Sequence, residues 1–557
     1  MRRRRIAASL LAVVTAIVVT ACAGLPSGGG VQEGREAGGD LDAPDIDLLP
    51  SRPQPGASPQ QIVEGFLRAG SGPGPAGDWS RAREFLMPET EWNPSAGVTI
   101  DVFGERDVDV VNDDSITVTI EPVALVDDKG SYERTTAGPT PLQFELEQDD
   151  GEWRISSAPD GIVLDTTVFS DVFQEYPLSY FDPTWTYFVP DVRWFPRTNA
   201  ATRITNALVN QPPSEWLAES VVTAFPVGVT ADVSVPVTAG GVATVTLSAD
   251  ALLADQGTLD RMQAQLDASL SAALVNDVQM SVGDTLIAAD AVAPRRTSVT
   301  GLPLVEKDGM FGFLAGDEIT PIPGLSGALQ TLDVRDVQVG IDHTQAAVRR
   351  SDGAALRIDA DGTTTVLDTR PGLIAPTIDA FGIVWTAPST APQGLVAHTP
   401  EGPVAVGEAW PAATGISALA VSREGARVAA VVTSGGHTSV WVAGIIRGED
   451  GVPVRLGEPV VLAVPSGSGA GLAWLDDTSI GVLAVDGETS TVLEQRVGGR
   501  GSTAAGPPAA VAIAGANTVA TIRILGDDGL LYLKRGANWQ VTASGVAVLA
   551  TQQGAPD

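Results

Sequence analysis

The chain has 557 residues, 44% hydrophobic and 18% charged, with 34 basic against 68 acidic side chains and a formal net charge of −34. So acidic a surface argues against DNA or RNA as a partner, because phosphate binding needs a basic face. A single cysteine excludes an intramolecular disulfide framework and any multi-cysteine zinc site, and the length suggests about three domains.

Residues 1–21 read as a lipoprotein signal peptide. Arg2 to Arg5 form a positive head, and Ile6 to Thr20 is an uncharged, mostly apolar stretch. That stretch is shorter than the roughly 20 residues a spanning helix needs. Val19-Thr20-Ala21-Cys22 has an aliphatic residue, two small residues and then the chain's one cysteine. This pattern predicts cleavage between Ala21 and Cys22 and acylation of the Cys22 thiol. Two or three acyl chains hold a protein on a membrane, whereas one does so only marginally. The rest of the segment 22–56 is rich in Gly, Pro, Ser and acidic residues and reads as a tether spanning about 30–35 Å.

Residues 57–165 read as an α+β domain. Ser58-Pro59-Gln60-Gln61 is a helix start with an N-cap, a proline at the first turn and a capping box. Ile62, Val63, Phe66 and Leu67 then share a face, and a second short helix fits Asp78 to Leu86. Period-two strands follow at Val98–Phe103, Ser115–Ile120, Pro141–Leu146 and Glu152–Ile155. Helices followed by a curved antiparallel sheet resemble the NTF2-like superfamily. Residues 166–197 form an aromatic linker in which Pro183 and Pro190 argue against a helix. Tyr180, Phe181, Trp185, Tyr187, Phe188, Arg193, Trp194 and Phe195 are expected to form an interface. Packing between domains is favoured, with an exposed partner site as the alternative.

Residues 198–295 read as a second α+β unit. Thr198 can cap a helix carrying Ala201, Ile204, Ala207 and Leu208. Val233–Val237 and Val242–Leu247 suggest a strand pair around Gly240-Gly241. An amphipathic helix runs from Thr258 to about Leu274, before a strand at Val278–Val282. Residues 300–557 are all-β. Turns at Asp342, Asp379, Ser422, Asp476 and Gly515 recur at steps of 37, 43, 54 and 39 residues. Repeats of that length mean propeller blades, about six of them. The predicted fold is therefore multidomain: two small α+β domains followed by a β-propeller.

With Cys22-Ala-Gly-Leu-Pro26, Phe181-Asp182-Pro183, Val189-Pro190-Asp191, Arg193-Trp194-Phe195-Pro196 and Leu208-Val-Asn-Gln-Pro-Pro213, the chain resembles the LpqB family of bacterial lipoproteins. That resemblance implies a GerMN domain at 198–295 and a propeller after it. It also implies an extracytoplasmic protein, lipid-anchored to the cell membrane, that contacts the ectodomain of a sensor histidine kinase similar to MtrB. The system it tunes governs cell-wall homeostasis and division.

Residue chemistry offers little to an enzyme reading. No Gly-x-Ser-x-Gly elbow, Walker motif or dinucleotide fingerprint is present. His343, His398 and His437 all precede threonine and read as solvated turn residues rather than metal ligands. Asp359-Ala-Asp361-Gly362 lacks the later ligands of a calcium loop and reads as a hairpin turn. The expectation is a non-enzyme with no catalytic residue, cofactor or metal, and with no evident small-molecule substrate. An envelope-assembly scaffold is the alternative, and a cell-wall carbohydrate binder or hydrolase ranks lower.

Overall fold

The computed structural model of the protein describes residues 50–74, 77–112 and 114–555. The predicted signal peptide, Ala21, Cys22 and nearly all of the tether lie outside the described residues.

The first domain begins with helix Pro59–Ala69, capped by Ser58 and Gln61 in a reciprocal box. Ile62, Val63, Phe66 and Leu67 are buried on one face, each contributing about 1.5–3 kcal/mol by leaving water. The second helix is only one turn, Ser80–Arg83. The strands divide into two four-stranded sheets instead of one curved antiparallel sheet. Val98–Asp101 pairs with Pro122–Val126 and, in parallel, with Ile162–Asp165. Asp107–Asn112, Ser115–Ile120, Thr140–Asp149 and Glu152–Ser157 make the second sheet. Phe66 meets Trp92 at 5.0 Å and Phe144 at 6.1 Å, both edge to face. These rings fill the concave side and leave a cavity of about 10 Å³, room for one water.

The aromatic segment is a β-hairpin. Phe173–Phe181 and Phe188–Pro196 pair antiparallel in unbroken register, from Phe188 opposite Phe181 to Pro196 opposite Phe173. Pro177 and Pro190 are tolerated because a two-stranded ribbon has only edge strands. In the second domain, helix Ala200–Asn210 is not capped by Thr198, since its N-cap position is Asn199 at φ 57°, whose side chain makes no capping bond. Val233–Val237 is not a continuous strand, but the stretch pairs antiparallel with Val242–Leu247 through bridges Ala231 to Leu247 and Val237 to Ala243, and the Thr244 amide donates to the Pro236 carbonyl at 3.1 Å. Val242–Thr246 pairs in parallel with Asp277–Val282, and helix Gln256–Leu270 makes the crossover. Asp255 accepts from the Thr258 amide at 2.7 Å, so this helix starts earlier than the apolar stripe suggests. It ends before Leu274, which stands exposed at φ 60°.

Residues 304–552 form six blades, five of four strands and one, Gly415–Ala463, with a fifth strand at Val460–Ala463. Their innermost strands are Val334–Val339, Thr377–Ile378, Gly415–Val421, Ser468–Trp474, Ala510–Ala514 and Val546–Gln552, which neighbour one another in a closed ring. One blade joins both ends of the domain. Leu304–Lys307 pairs antiparallel with Val546–Gln552, and Met310–Ala315 and Glu318–Thr320 complete that sheet. Alternating Val and Ala in these strands follow from burial on both faces, as in Arg427–Ser434.

Candidate functional site at the hairpin junction

The hairpin sits where all three modules meet. Its turn is organised by Asp182, whose carboxylate accepts from the Thr186 amide at 2.8 Å, the Tyr187 amide at 2.6 Å and the Thr184 amide at 2.9 Å. Such a carboxylate replaces backbone partners that a tight aromatic turn lacks. Tyr180 and Phe181 are fully buried and Tyr187 nearly so, while Trp185 and Phe188 are half-buried. Phe181 packs on Phe188 at 4.7 Å and on Trp185 at 5.2 Å, and Arg261 lies over Trp185 at 4.7 Å. The end of the first strand bridges to the second domain through two backbone bonds between Phe181 and Val222, at 3.0 and 2.8 Å.

Asp191 and Arg193 form a buried ion pair at 2.8 Å. Taking two charges out of water is costly unless every remaining donor and acceptor is used, and here they are spread over both α+β domains. Asp191 also accepts from the Ser214 amide at 2.9 Å and its hydroxyl at 2.7 Å. Arg193 donates to the Lys129 carbonyl at 2.9 Å and to that of Pro212 at 3.4 Å. Burial alone would lower the guanidinium, but Asp191 outweighs it and the pKa lies above the ordinary arginine value. The Tyr180 phenol is pushed up by burial and by the Asp191 charge.

Trp194 faces the first domain's core, while Phe195 packs into the second domain's core, stacked on Tyr176 at 6.3 Å. The Trp194 ring lies 5.0 Å from Phe169 and 5.8 Å from Tyr132, and its indole N–H donates to the Gly498 carbonyl of the propeller at 3.0 Å. Arg500 covers the ring at 5.8 Å. The Trp194 amide donates to the Gly130 carbonyl at 2.8 Å. Gly130 is at φ +85°, and a Cβ there would fall 2.7 Å from the Phe195 ring and 2.9 Å from the Trp194 carbonyl, so this approach needs glycine. Two further bonds reach the propeller: Arg427 to the Pro190 carbonyl at 3.4 Å and Arg496 to Glu175 at 2.8 Å. Each of the eight interface residues named from the sequence thus lies on this hairpin. Asp182, Asp191, Ser214, Gly130 and Arg427 also hold the junction. The first two stood in the quoted motifs without an assigned role. The other three lie too far away in sequence for spacing to reveal them.

The three histidines do not converge. His437 is exposed, and His343 is half-buried with Nε2 3.1 Å from the Gly554 carbonyl. His398 is buried, contrary to its reading as a solvated turn residue. Its Nε2 is 2.9 Å from the Thr386 hydroxyl, which donates to Asp368 at 2.7 Å. Burial alone would raise the Asp368 carboxyl, but bonds from Arg370 and Thr386 outweigh it and hold the pKa at about 2. This network pins adjacent blades together. Among the described residues, no group of three or more His, Cys, Asp or Glu side chains is placed to hold a metal.

The molecule is thus a train of two α+β domains fixed onto a six-bladed propeller by one hairpin. Family profiles match it in the same order: "Lipoprotein LpqB, N-terminal domain" over 52–170, "Sporulation and spore germination" over 177–287 and "Lipoprotein LpqB beta-propeller domain" over 308–549. The chain belongs to the LpqB lipoprotein family. Among curated relatives it is similar to Lipoprotein LpqB of Cutibacterium acnes, 26% identical over 96% of this chain and 97% of that one. It is also similar to Lipoprotein LpqB of Thermobifida fusca, 28% identical over 81% and 83%. The Mycolicibacterium smegmatis protein of that name is 31% identical over 37% of this chain and 35% of its own. Among the described residues no helix is long and apolar enough to cross a membrane.

Proposed function

We propose that the protein is a non-enzymatic lipoprotein, anchored on the extracytoplasmic face of the cell membrane through acylated Cys22, that binds and modulates the ectodomain of a sensor histidine kinase. The system it tunes is one controlling cell-wall homeostasis and division. Family membership supports the partner class. The observation that carries the mechanical part is the junction: the buried Asp191–Arg193 pair and Trp194 tie three modules into one rigid body. A rigid body on a leash presents a fixed surface to a membrane neighbour without the ordering entropy of a jointed chain. Domain boundaries at 57–165, 198–295 and 300–557 fit that division of labour.

The test is purification of the lipid-anchored chain from intact membranes after crosslinking. The kinase should co-purify, and Cys22→Ser should release the protein from the membrane and abolish the capture. Enrichment of secretion or wall-synthesis proteins without the kinase would establish an assembly scaffold instead. Hydrolysis of purified peptidoglycan by the chain would overturn the non-enzyme assignment.

A further inference from the structure

The propeller's central channel is sealed at one end and open at the other. At the sealed end the blades are laced by side chains that cross between them. Gln553 donates to the carbonyls of Ile378 and Val421, the latter at 3.1 Å. Gln338 accepts from the Thr377 hydroxyl at 2.6 Å and the Ile378 amide at 2.7 Å. Arg423 reaches across to the Trp474 carbonyl at 3.1 Å and to that of Ala516. This is also the end on which the hairpin and the 294–300 segment lie, through Arg427, which donates to the Pro190 carbonyl, and through Val299, whose amide donates to Asn517 Oδ1 at 2.7 Å. The opposite end, where the innermost strands begin, leads into a cavity of about 150 Å³.

The lining of that cavity is specific in kind. Its walls mix small residues, Ala418, Ala470, Gly471 and Ala512, with larger apolar ones such as Leu419, Leu472 and Trp474 and with polar groups. Asp336 and Arg349 stand together toward the open end, bonded at 2.7 Å through a single carboxylate oxygen, Oδ2. Asp336 Oδ1 has no partner among the described residues. Arg349 also donates to the Leu373 carbonyl at 2.6 Å, so three of the five guanidinium N–H groups are engaged and two are spare. Deeper in, Gln338 has spent its carbonyl oxygen, and its amide nitrogen has no partner among the described residues; neither has the Thr551 hydroxyl. The site therefore offers a spare carboxylate oxygen beside spare guanidinium donors, then neutral donors, in a cavity whose volume of about 150 Å³ admits only short side chains.

We propose that this blind channel binds a short peptide with small aliphatic side chains. Its ammonium lies against Asp336, its carboxylate against Arg349, and its amide carbonyl accepts from Gln338. A zwitterion matches both members of the rim pair without leaving either charge alone, which a sugar or a simple anion does not. A cavity of about 150 Å³ favours methyl over larger groups because overpacking is costly. This pocket stands independently of the kinase reading.

The test is titration calorimetry of the whole chain in detergent with L-alanyl-L-alanine as the probe. The dipeptide should bind. Its acetylated, methylamidated counterpart should bind about tenfold or more weakly, since both charged contacts are lost. Ala470 is exposed to the channel, so Ala470→Trp fills the space without displacing core atoms and should abolish binding. Arg349→Gln should weaken it about tenfold, and decides the matter if the tryptophan variant does not fold. Absence of dipeptide binding, equal affinity in either folded variant, or preference for N-acetylglucosamine over the dipeptide overturns the proposal.

Discussion

Replacing Trp194 by alanine removes the side chain that touches the first domain and the propeller at once. The indole is 5% exposed, so nearly all of its surface is lost to the core. Core truncation of an aromatic of this size costs about 3–5 kcal/mol. Within that total, the bond to the Gly498 carbonyl accounts for about 1 kcal/mol, and the ring contacts with Phe169 and Tyr132 for about 0.5–1.5 kcal/mol each. Trp194→Phe keeps most of the ring contact and loses the hydrogen bond, so it should cost about 1–2 kcal/mol. The described residues form one compact unit, which suits urea denaturation followed by fluorescence and far-UV circular dichroism. For Trp194→Ala the two signals should separate, because the first domain loses its hold on the propeller. A loss below about 1 kcal/mol with coincident signals would refute the junction reasoning.

Asp191→Ala leaves Arg193 buried without its partner and should destabilise by about 3–5 kcal/mol, read as a lower urea midpoint. Gly130→Ala should cost about 2–4 kcal/mol, from left-handed backbone strain and the clash with Phe195 together; an unchanged midpoint would place the two elements further apart than they are here. Burial lowers the pKa of His398, partly offset by Asp368, so the unfolded chain takes up that proton more readily. Stability should therefore fall as pH drops through the ordinary histidine value of 6.5. His398→Gln should show a shallower fall in melting temperature between neutral and mildly acidic pH, and an equal slope would remove His398 as the cause.

Much of the architecture follows from local pattern. The Ser58–Gln61 capping box, the apolar face of Ile62 to Leu67 and the recurring blade turns are all short-range signals. What escaped notice depends on distance in sequence. Strand Val242–Thr246 does pair antiparallel with the 231–238 stretch, through isolated bridges only, and its continuous partner lies beyond a helix; strand, helix and strand in series signal a parallel crossover. The burial of His398 needs Asp368 and Thr386 from neighbouring strands, and a histidine before threonine carries no trace of them. The aromatic segment advertised an interface through density alone. Its hairpin form was masked by prolines that an isolated ribbon accommodates. The acid–base pair within it became meaningful only once Lys129, Pro212 and Ser214 were seen around it.

The blade shared between Leu304–Lys307 and Val546–Gln552 imposes an order of events. During synthesis the earlier strands of that sheet emerge first and wait, their edge unpaired, until more than two hundred residues have followed. A ring of this kind gains its last contact only across the longest loop in the domain, so its closure is slow and late. A ribosome stall or proteolytic cut anywhere in that interval leaves an open arc with a free strand edge at each end. Such an arc is a substrate for quality-control proteases.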